Sequence, residues 1–324
     1  MMNEKKIEAG SEKEKRKEYT NMKYYLAPLE GITDHIYRRT YHKLFEPMDK
    51  YFIPFLTPNE NGKLSKRQRQ DVLPENNEGM YAVPQILTNK TEEFLSAEAY
   101  LGSIGYEEIN LNLGCPSRCV VSKGRGAGFL ADPDGLRRFL DEIFEKSNIR
   151  ISIKSRIGVR DVEEFGALLD LYNQYPLEEL ILHPRTGKEF YKGSPHREVY
   201  RYAMKESRHP LCYNGDLFTK EQYEDWEKKF PQSDAVMLGR GILGDPLLLS
   251  KIKQNHRPAH TWMELQYELY LAYQKEIQEE RHVLSRLKEF WTYRALVHRE
   301  EREMIQKIYR TNTLKEYAEL LHFE

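Results

Sequence analysis

Residues 108–158 read EINLNLGCPSRCVVSKGRGAGFLADPDGLRRFLDEIFEKSNIRISIKSRIG. Two apolar, β-rich segments, 108–113 and 151–157, flank a charged stretch over 133–144 that has the spacing of an amphipathic helix. Neighbouring parallel strands need a crossover connection of this kind, because a tight turn cannot join them. The stretch therefore predicts a strand, a loop, a crossover helix and a second strand parallel to the first.

The same unit recurs on both sides of this stretch, with further crossover helices predicted over 91–101 and 162–175. Counting outward gives eight β-rich segments, at 24–27, 51–56, 82–87, 108–113, 151–157, 180–183, 211–214 and 235–238. Eight βα units close naturally into a TIM (β/α)8 barrel, which is the α/β fold that we predict. An open, doubly wound sheet would instead carry a glycine-rich fingerprint after its first strand, where this chain has Pro28-Leu29-Glu30-Gly31.

The pattern changes after Asp245, where glycine disappears and two long amphipathic segments follow, over 263–280 and 282–299. This pattern predicts a C-terminal α-helical bundle after the barrel. We therefore expect a frayed lead-in over residues 1–20, a catalytic barrel over 21–245 and a helical domain over 246–324.

The composition favours a protein of a reducing compartment without a membrane span. Three cysteines are too few for a disulfide framework. The N-terminal segment lacks the apolar stretch of a signal peptide, and the sequence contains no run of about 18 apolar residues. We therefore expect a cytoplasmic protein without a membrane anchor, and we expect it to be a monomer.

The charges balance over the whole chain, with 50 basic and 51 acidic residues, so binding of a polyanion must come from local patches. Within 281–315, nine arginines and lysines stand against four glutamates. The first cations of this basic segment are Arg281, Arg286 and Lys288. Two interpretations stay open: the segment contacts RNA phosphates and bases, or it is a solvated helix face with Trp291 and Tyr293 in the bundle core.

A cysteine lies where barrel enzymes carry their chemistry, in the loop after the fourth strand. This strand ends in Asn110-Leu-Asn112-Leu-Gly114-Cys115-Pro116, and a glycine-rich loop that permits tight turns follows. The placement predicts a reactive thiol at Cys115 in preference to a small buried residue. The Cys-x3-Cys spacing to Cys119 is typical of one iron–sulfur motif, but Ser122 stands where that motif needs its third cysteine. We therefore predict no metal site.

Polar residues also end the fifth to eighth strands. Lys154 and Arg156 are two apart, hence on one face of a strand, and two cations that point into a barrel predict an anion or a polarised ring as ligand. His183, at the end of the sixth strand, is either a ligand contact or a structural histidine. Asn214-Gly215-Asp216 and Gly239-Arg240-Gly241 end the last two strands, where barrels commonly bind phosphate. FMN fits this pattern, with its phosphate at these two motifs and its ring over Lys154.

These motifs occur in the order and strand positions of a known family, and the chain resembles the dihydrouridine synthases from Tyr24 onward. The resemblance rests on Ala27-Pro28-Leu29-Glu30-Gly31-Ile32-Thr33-Asp34, Gln85, Asn112-Leu-Gly114-Cys115-Pro116, Lys154-x-Arg156-x-Gly158, His183-x-Arg185-Thr, Asn214-Gly215-Asp216 and Gly239-Arg240-Gly241. It implies that Cys115 is the catalytic acid. It also implies that FMN is held by Pro28, Leu29, Glu30, Gln85, Lys154, His183, Asn214, Gly215, Asp216, Gly239 and Arg240.

The resemblance further implies an activity. The family reduces uridine in transfer RNA to 5,6-dihydrouridine, takes its electrons from NADPH, and binds RNA through a C-terminal helical bundle. Hydride from the flavin N5 adds to C6 of uracil, and Cys115 gives a proton to C5, which suits a thiol that is mostly protonated at neutral pH. We expect the target uridine to be flipped out of its stack. The predicted substrate contacts are Asn112, Arg156, Arg185, Arg281, Arg286 and Lys288.

Two other functions stay open on the sequence alone. FMN barrels of the dihydroorotate dehydrogenase type also carry a cysteine or serine on an asparagine-rich loop after strand four, but that type does not explain the basic helical extension. The second is a noncatalytic flavin- or RNA-binding relative, against which Cys115 and Lys154 argue. Ribosomal RNA stays open as a substrate beside transfer RNA.

Overall fold

The computed structural model describes residues 22–59, 62–255 and 260–323. The lead-in predicted over residues 1–20 lies outside these ranges. Within the described residues, eight parallel strands close into one barrel, in chain order around the ring. The strands are β1 (Lys23–Leu26), β2 (Lys50–Leu56), β3 (Ala82–Ile86), β4 (Glu108–Leu113), β5 (Arg150–Arg156), β6 (Leu180–His183), β7 (Leu211–Tyr213) and β8 (Ala235–Leu238).

Helices surround the barrel and continue beyond it. In chain order they are α1 (His35–Leu44), α2 (Lys66–Val72), α3 (Thr91–Ser103), α4 (Arg118–Val121), α5 (Pro133–Lys146), α6 (Glu164–Tyr172), α7 (Arg197–Glu206), α8 (Lys220–Lys229), α9 (Arg240–Gly244), α10 (Leu248–Ile252), α11 (Trp262–Glu276), α12 (Glu280–Val297), α13 (Arg302–Arg310) and α14 (Leu314–Leu321). Among the helices of the described ranges, none combines the length and the apolarity that a membrane span needs.

The predicted TIM barrel and the C-terminal helices are confirmed, and every predicted strand lies within one residue of the observed bounds. The agreement has a physical reason, because parallel strands covered on both faces appear as nearly continuous apolar runs. All six residues of β4 are buried, for example. A separate apolar cluster fills the barrel interior and includes Tyr25, Phe52, Val83 and Met237.

The strand register gathers polar side chains at the carboxyl ends of the strands. Asn112 of β4 lies opposite Lys154 of β5, and Arg156 of β5 lies opposite His183 of β6. Directly paired residues of neighbouring strands point to the same face of the sheet. The fold therefore brings these four side chains together inside one end of the barrel.

The C-terminal helices are fixed to the barrel through α1 and α9. The Tyr273 hydroxyl of α11 donates to both oxygens of the Asp34 carboxylate, at 3.0 and 3.1 Å, and Asp34 also caps α1 by accepting from the Tyr37 N–H. α12 approaches α9 so closely that a Cβ at Gly244 would lie 2.5 Å from the carbonyl oxygen of Tyr293. The predicted division of the chain near residue 245 stays a prediction, since one apolar core runs through both parts.

Trp291 belongs to the core of the C-terminal helices. Its side chain is almost fully buried, and its indole N–H donates to the Tyr317 hydroxyl at 2.9 Å. The indole of Trp262 meets it edge-on, with ring centroids 5.5 Å apart. Trp291 is therefore a core residue of the helical bundle and is not available to stack on a base.

Replacing Tyr273 by phenylalanine is expected to lower the free energy of unfolding by about 1–3 kcal/mol, because the half-buried Asp34 carboxylate loses the hydrogen bond of the fully buried Tyr273 side chain. Tyr270→Phe on the same helix is the matched control, since no hydrogen bond of the Tyr270 hydroxyl occurs within the described residues. Urea denaturation compares the two variants with the wild type. Equal midpoints would show that this hydroxyl does not fasten α11 to the barrel.

Candidate active site

A cleft of about 280 Å³ opens at the carboxyl ends of the strands, the end at which TIM-barrel enzymes carry their chemistry. The predicted site residues that line it are Pro28, Leu29, Glu30, Gln85, Asn112, Cys115, Lys154, Arg156, His183, Asn214, Gly215, Asp216, Gly239 and Arg240. The structure thus brings every residue predicted to hold a cofactor into one place with the predicted acid. We call this cavity the active-site cleft.

The loop that carries Cys115 is held by the side-chain amide of Asn112. The Asn112 Oδ1 accepts from the backbone N–H groups of Gly114 and Cys115, at 3.1 and 2.9 Å. Its Nδ2 donates to Gln85 Oε1 at 2.6 Å, and Gln85 donates in turn to Asn110 Oδ1 at 2.7 Å. All three amide side chains are buried, so their mutual hydrogen bonds fix their orientation. This network sets where the cysteine loop leaves the strand.

The Cys115 thiol is suited to give a proton. Burial raises the pKa of Cys115, against a smaller lowering by a hydrogen bond with the backbone of Ser117, so the thiol stays protonated at neutral pH. The Ala127 N–H donates to the Cys115 carbonyl at 3.0 Å and closes the loop. Cys119 is exposed instead, with its sulfur 3.1 Å from the Ser117 hydroxyl.

Lys154 is a cation without a counterion. Its ammonium group has no hydrogen bond or ion pair with any of the described residues. Burial, with a smaller contribution from the neighbouring charge of Arg156, lowers the pKa of Lys154 to about 8. A half-buried ammonium group of this kind is costly until an anion or a polarised group enters the cleft.

Arg156, by contrast, is satisfied within the protein. Its guanidinium donates to the carbonyl oxygens of Gly114, Thr186 and Phe190, at 2.9, 2.7 and 2.7 Å. These residues lie in the loops after β4 and β6. Arg156 was predicted to contact the substrate. In the structure it lines the cleft, and its side chain hydrogen-bonds to both loops.

His183 is neutral at pH 7. Burial, followed by the charges of Arg156, Lys154, Arg185 and Arg240, lowers the pKa of His183 well below its usual range. Its Nε2 lies 3.4 Å from the guanidinium of Arg185. A neutral imidazole offers one donor and one acceptor without adding to the positive charge of the cleft.

Asp216 is the carboxylate among these cations. It pairs with Arg185 at 2.6 Å and with Arg240. Arg185 is fully buried behind Asp216 and also donates to the carbonyls of Lys192 and Gly193. Arg185 was predicted as a substrate contact, but the structure places it outside the lining of the cleft, where it orients Asp216.

Backbone groups dominate the side of the cleft near β7 and β8. α9 begins at Arg240, and its N-cap Gly239 provides no side-chain hydrogen bond. A Cβ at Gly241 would lie 2.1 Å from the Leu217 carbonyl oxygen, so only glycine fits there. Asn214 Nδ2 donates to the Met237 carbonyl at 2.9 Å and joins the two strand ends. An uncapped helix start beside a guanidinium suits a phosphate group.

The turn after β1 meets the C-terminal helices at the rim of the cleft. Gly31 has φ +77°, and a Cβ there would lie 2.9 Å from a guanidinium nitrogen of Arg286. The guanidinium of Arg286 has no hydrogen bond or ion pair with the residues that the structure describes. Glu30, beside it, pairs with Arg67 of α2. Arg286 thus brings a positive charge from α12 to the turn beside the cleft, where it also acts on the carboxylates of Asp34 and Glu289.

Comparison with known proteins adds the family. The profile of the family described as dihydrouridine synthase matches residues 25–322. The chain belongs to the dihydrouridine synthase family. A probable tRNA-dihydrouridine synthase of Staphylococcus epidermidis is 27% identical over 308 residues, which cover 92% of each chain. Another from Staphylococcus aureus is 28% identical over 265 residues, and a probable tRNA-dihydrouridine synthase 2 of Bacillus subtilis is 26% identical over 264 residues, each covering 78% of this chain and 79% of the relative.

Membership of the dihydrouridine synthase family confirms the resemblance drawn from the motifs. The match extends from the first strand of the barrel to the last helix, α14, so it includes the basic C-terminal segment. The dihydroorotate dehydrogenase type, which the sequence left open, is not the family that the profile identifies.

The three basic residues predicted in the C-terminal segment have different surroundings. Arg286 lies at the rim of the cleft. Arg281 is exposed and donates to Glu279 at 2.8 Å. Lys288 donates to the carbonyls of Tyr309 and Thr311, at the C-terminal end of α13. Arg286 is therefore the one of the three that lies against the turn after β1, next to the cleft residue Glu30.

Four aromatic residues of the cleft were not predicted from the sequence. Phe55, Tyr191, Phe218 and Tyr293 all line it. The guanidinium of Arg240 lies over the rings of Tyr191 and Phe218, at 4.4 and 5.3 Å from their centroids. Phe55 could have been found from its position near the end of β2. The other three depend on loop and interhelical geometry that has no periodic signal.

Lys154→Met is expected to stabilise the cofactor-free protein at pH 7. The pKa of Lys154 is about 8 in the folded chain against 10.5 for an ordinary lysine, so the folded wild type carries a costly charge below pH 8. Wild-type stability should rise by up to about 3 kcal/mol as the pH climbs from 8 to 10.5, where only the unfolded chain still binds this proton.

Urea denaturation at pH 7 and at pH 10.5 measures the difference between the two proteins. The advantage of Lys154→Met should be largest at pH 7 and vanish near pH 10.5. Lys188→Met, at an exposed lysine, is the control and should show no such trend. An equal difference at both pH values would contradict the depressed pKa.

Proposed function

We propose that this protein reduces a uridine of transfer RNA to 5,6-dihydrouridine, with FMN as cofactor and NADPH as electron donor. The observation that carries the proposal is a single cleft in which a protonated thiol, Cys115, and an unpaired cation, Lys154, meet at the mouth of the barrel. The relatives named tRNA-dihydrouridine synthases support transfer RNA as the substrate. Ribosomal RNA is the alternative, and mapping the modified RNA distinguishes the two.

The donor set of the cleft fits FMN. Arg240 and the uncapped start of α9 suit its phosphate. Lys154 suits the polar edge of its ring, where a positive charge favours electron uptake. FMN, when bound, supplies the hydride that adds to C6 of uracil. The buried amide of Gln85 and the neutral His183 offer hydrogen bonds to the ring without further charge.

Cys115 acts as the acid in this proposal. Addition of hydride at C6 leaves negative charge that extends from C5 to the C4 carbonyl, and a proton at C5 completes the product. Burial keeps the Cys115 thiol protonated, which gives it a proton to donate at neutral pH. Asn112 holds the backbone on which the thiol is mounted, and it also faces the cleft as a contact for uracil.

A uridine must leave its stack to reach this cleft, since the reacting face of the base is covered in a helix. Arg286 is placed to hold an RNA phosphate beside the turn after β1, because its guanidinium donates no hydrogen bond to any of the described residues. Arg281 and Lys288 lie on the same helix, α12, but Arg281 pairs with Glu279 and Lys288 donates to the carbonyls of Tyr309 and Thr311. The protein would thus take its substrate between the barrel mouth and the C-terminal helices.

In cells that lack the gene, the wild-type protein is expected to restore dihydrouridine at mapped positions of transfer RNA, and Cys115→Ala is not. Purified Cys115→Ala should keep its flavin spectrum and its reduction by NADPH, while RNA reduction slows by about 10²–10⁴-fold, the range for loss of a general acid. Cys119→Ala, at the neighbouring exposed thiol, is the matched control. Undiminished RNA reduction would remove Cys115 from this role, and a colourless wild type would refute the use of FMN.

Arg286→Gln is expected to weaken RNA binding and to reduce the slope of log affinity against log salt by about 1, because one phosphate contact is lost. Flavin reduction by NADPH should stay unchanged. Arg281→Gln serves as the comparison, since Glu279 already compensates that charge. Titrations of the RNA at several salt concentrations give both slopes. If the two variants behave alike, Arg286 has no special place at the rim.

A further inference from the structure

A second cavity, of about 400 Å³, lies beside the active-site cleft and shares Pro116 with it. Its walls come from the loops after β4, β5 and β6, and its surface is almost wholly apolar. Pockets for small ligands typically have volumes of roughly 300–1,000 Å³ and mainly apolar linings. The cavity has no part in the chemistry described above, although the loop of Cys115 forms one of its walls.

Main-chain hydrogen bonds hold the cavity open. The Gly187 N–H donates to the Gly158 carbonyl and the Lys188 N–H to the Val159 carbonyl, both at 2.9 Å. These two bonds join the loops after β5 and β6 along the floor. The Ala127 N–H, which donates to the Cys115 carbonyl, ties the third wall to the cysteine loop. The cavity is therefore preformed, and hydrogen bonds connect its walls to the loop that carries Cys115.

Phe190 separates the two cavities through an unusual backbone conformation. Its φ of +54° lies in the left-handed region, which is unfavourable for a bulky residue. The Phe190 N–H donates to the Gly187 carbonyl at 3.3 Å, and its carbonyl accepts from Arg156 at 2.7 Å. As a result Phe190 lines the second cavity and the next residue, Tyr191, lines the cleft. Both residues are exposed, by 37% and 52%, and the guanidinium of Arg240 lies over the ring of Tyr191.

Three exposed cations border the second cavity, namely Arg118, Arg160 and Lys188. Their side chains form no ion pair or hydrogen bond within the described residues. The neighbouring carboxylates are already engaged: Glu164 accepts from backbone N–H groups of the loop after β5, and Glu189 pairs with His196. Arg118 and Lys188 therefore leave positive charge around an apolar floor, whereas the charge of Arg160 acts on the nearby Glu164 carboxylate.

We propose that the second cavity binds the base of the RNA nucleotide next to the target uridine, while the rim cations hold its phosphates. This inference rests on the proposed function, because it assumes that RNA enters the cleft. An exposed aromatic ring in a positive groove is the combination that binds single-stranded nucleotides, since any base stacks on it. The shared wall at Pro116 places the cavity within reach of the nucleotide that adjoins the flipped one.

Phe190→Gly tests the stacking contact. Glycine adopts the positive φ without strain, so the variant removes the ring and keeps the turn. With a transfer RNA transcript that the wild type reduces, we expect KM to rise about tenfold with kcat nearly unchanged. An abasic residue on one side of the target uridine should raise the wild-type KM by a similar factor. The same abasic transcript should cause no further loss in Phe190→Gly.

Phe190→Tyr should restore the wild-type KM, and Tyr202→Ala, at an exposed aromatic residue of α7 outside both cavities, should not change it. A second variant leaves the turn untouched: Lys188→Gln should reduce the salt slope of RNA binding by about 1, whereas Lys205→Gln on α7 should not. Additive losses from Phe190→Gly and the abasic residue would overturn the proposal.

Two further outcomes would also overturn it. If Phe190→Gly leaves KM for RNA unchanged while the wild type is active, the cavity has no role in RNA binding and the proposed function stands. If Phe190→Gly instead raises KM for NADPH in flavin reduction without RNA, the cavity takes the dinucleotide. Absence of dihydrouridine with the wild type in the same series would refute the proposed function itself, which keeps the two failures distinct.

Discussion

The guanidinium of Arg156 joins the loops after β4 and β6, and these loops form much of the mouth of the barrel. A charged group that is only 2% exposed is tolerated because three carbonyl oxygens receive its N–H donors. One of these carbonyls, that of Gly114, directly precedes Cys115, and another belongs to Phe190. A single buried side chain therefore fixes both the position of the thiol and the division between the two cavities.

Lys154 shows what the same strand does with a cation that has no such partners. Lys154 and Arg156 lie two residues apart on β5, yet the ammonium group of Lys154 has no acceptor among the described residues, and burial lowers its pKa to about 8. The folded chain thus carries an unfavourable charge where a ligand is expected to bind. Ligand sites commonly lower the stability of the ligand-free protein in this way, and binding of the ligand raises that stability again.

The barrel and the set of residues that line the cleft were predictable, because both are determined by the positions of the strands. Buried parallel strands appear as apolar runs, and their carboxyl ends meet at one end of a barrel wherever the chain places them. Residues from Pro28 to Arg240 therefore converge although they are far apart in sequence. The partners of each side chain were not predictable in this way. Arg185 pairs with Asp216, and Lys288 donates to carbonyls at the C-terminal end of α13, because tertiary geometry decides which acceptors are near.

The C-terminal helices complete the mouth by close approach at two glycines. The guanidinium of Arg286 packs closely against Gly31, and the backbone of Tyr293 packs closely against Gly244. Tyr293 also lines the cleft. The helices are fixed on α1 and α9, which begin directly after the turns that carry the first and the last motif of the site. Any shift of α12 would move Arg286 and Tyr293 together relative to Cys115. In the function proposed above, both parts therefore border the path by which a uridine reaches Cys115, so the choice of uridine depends on the junction between barrel and helices.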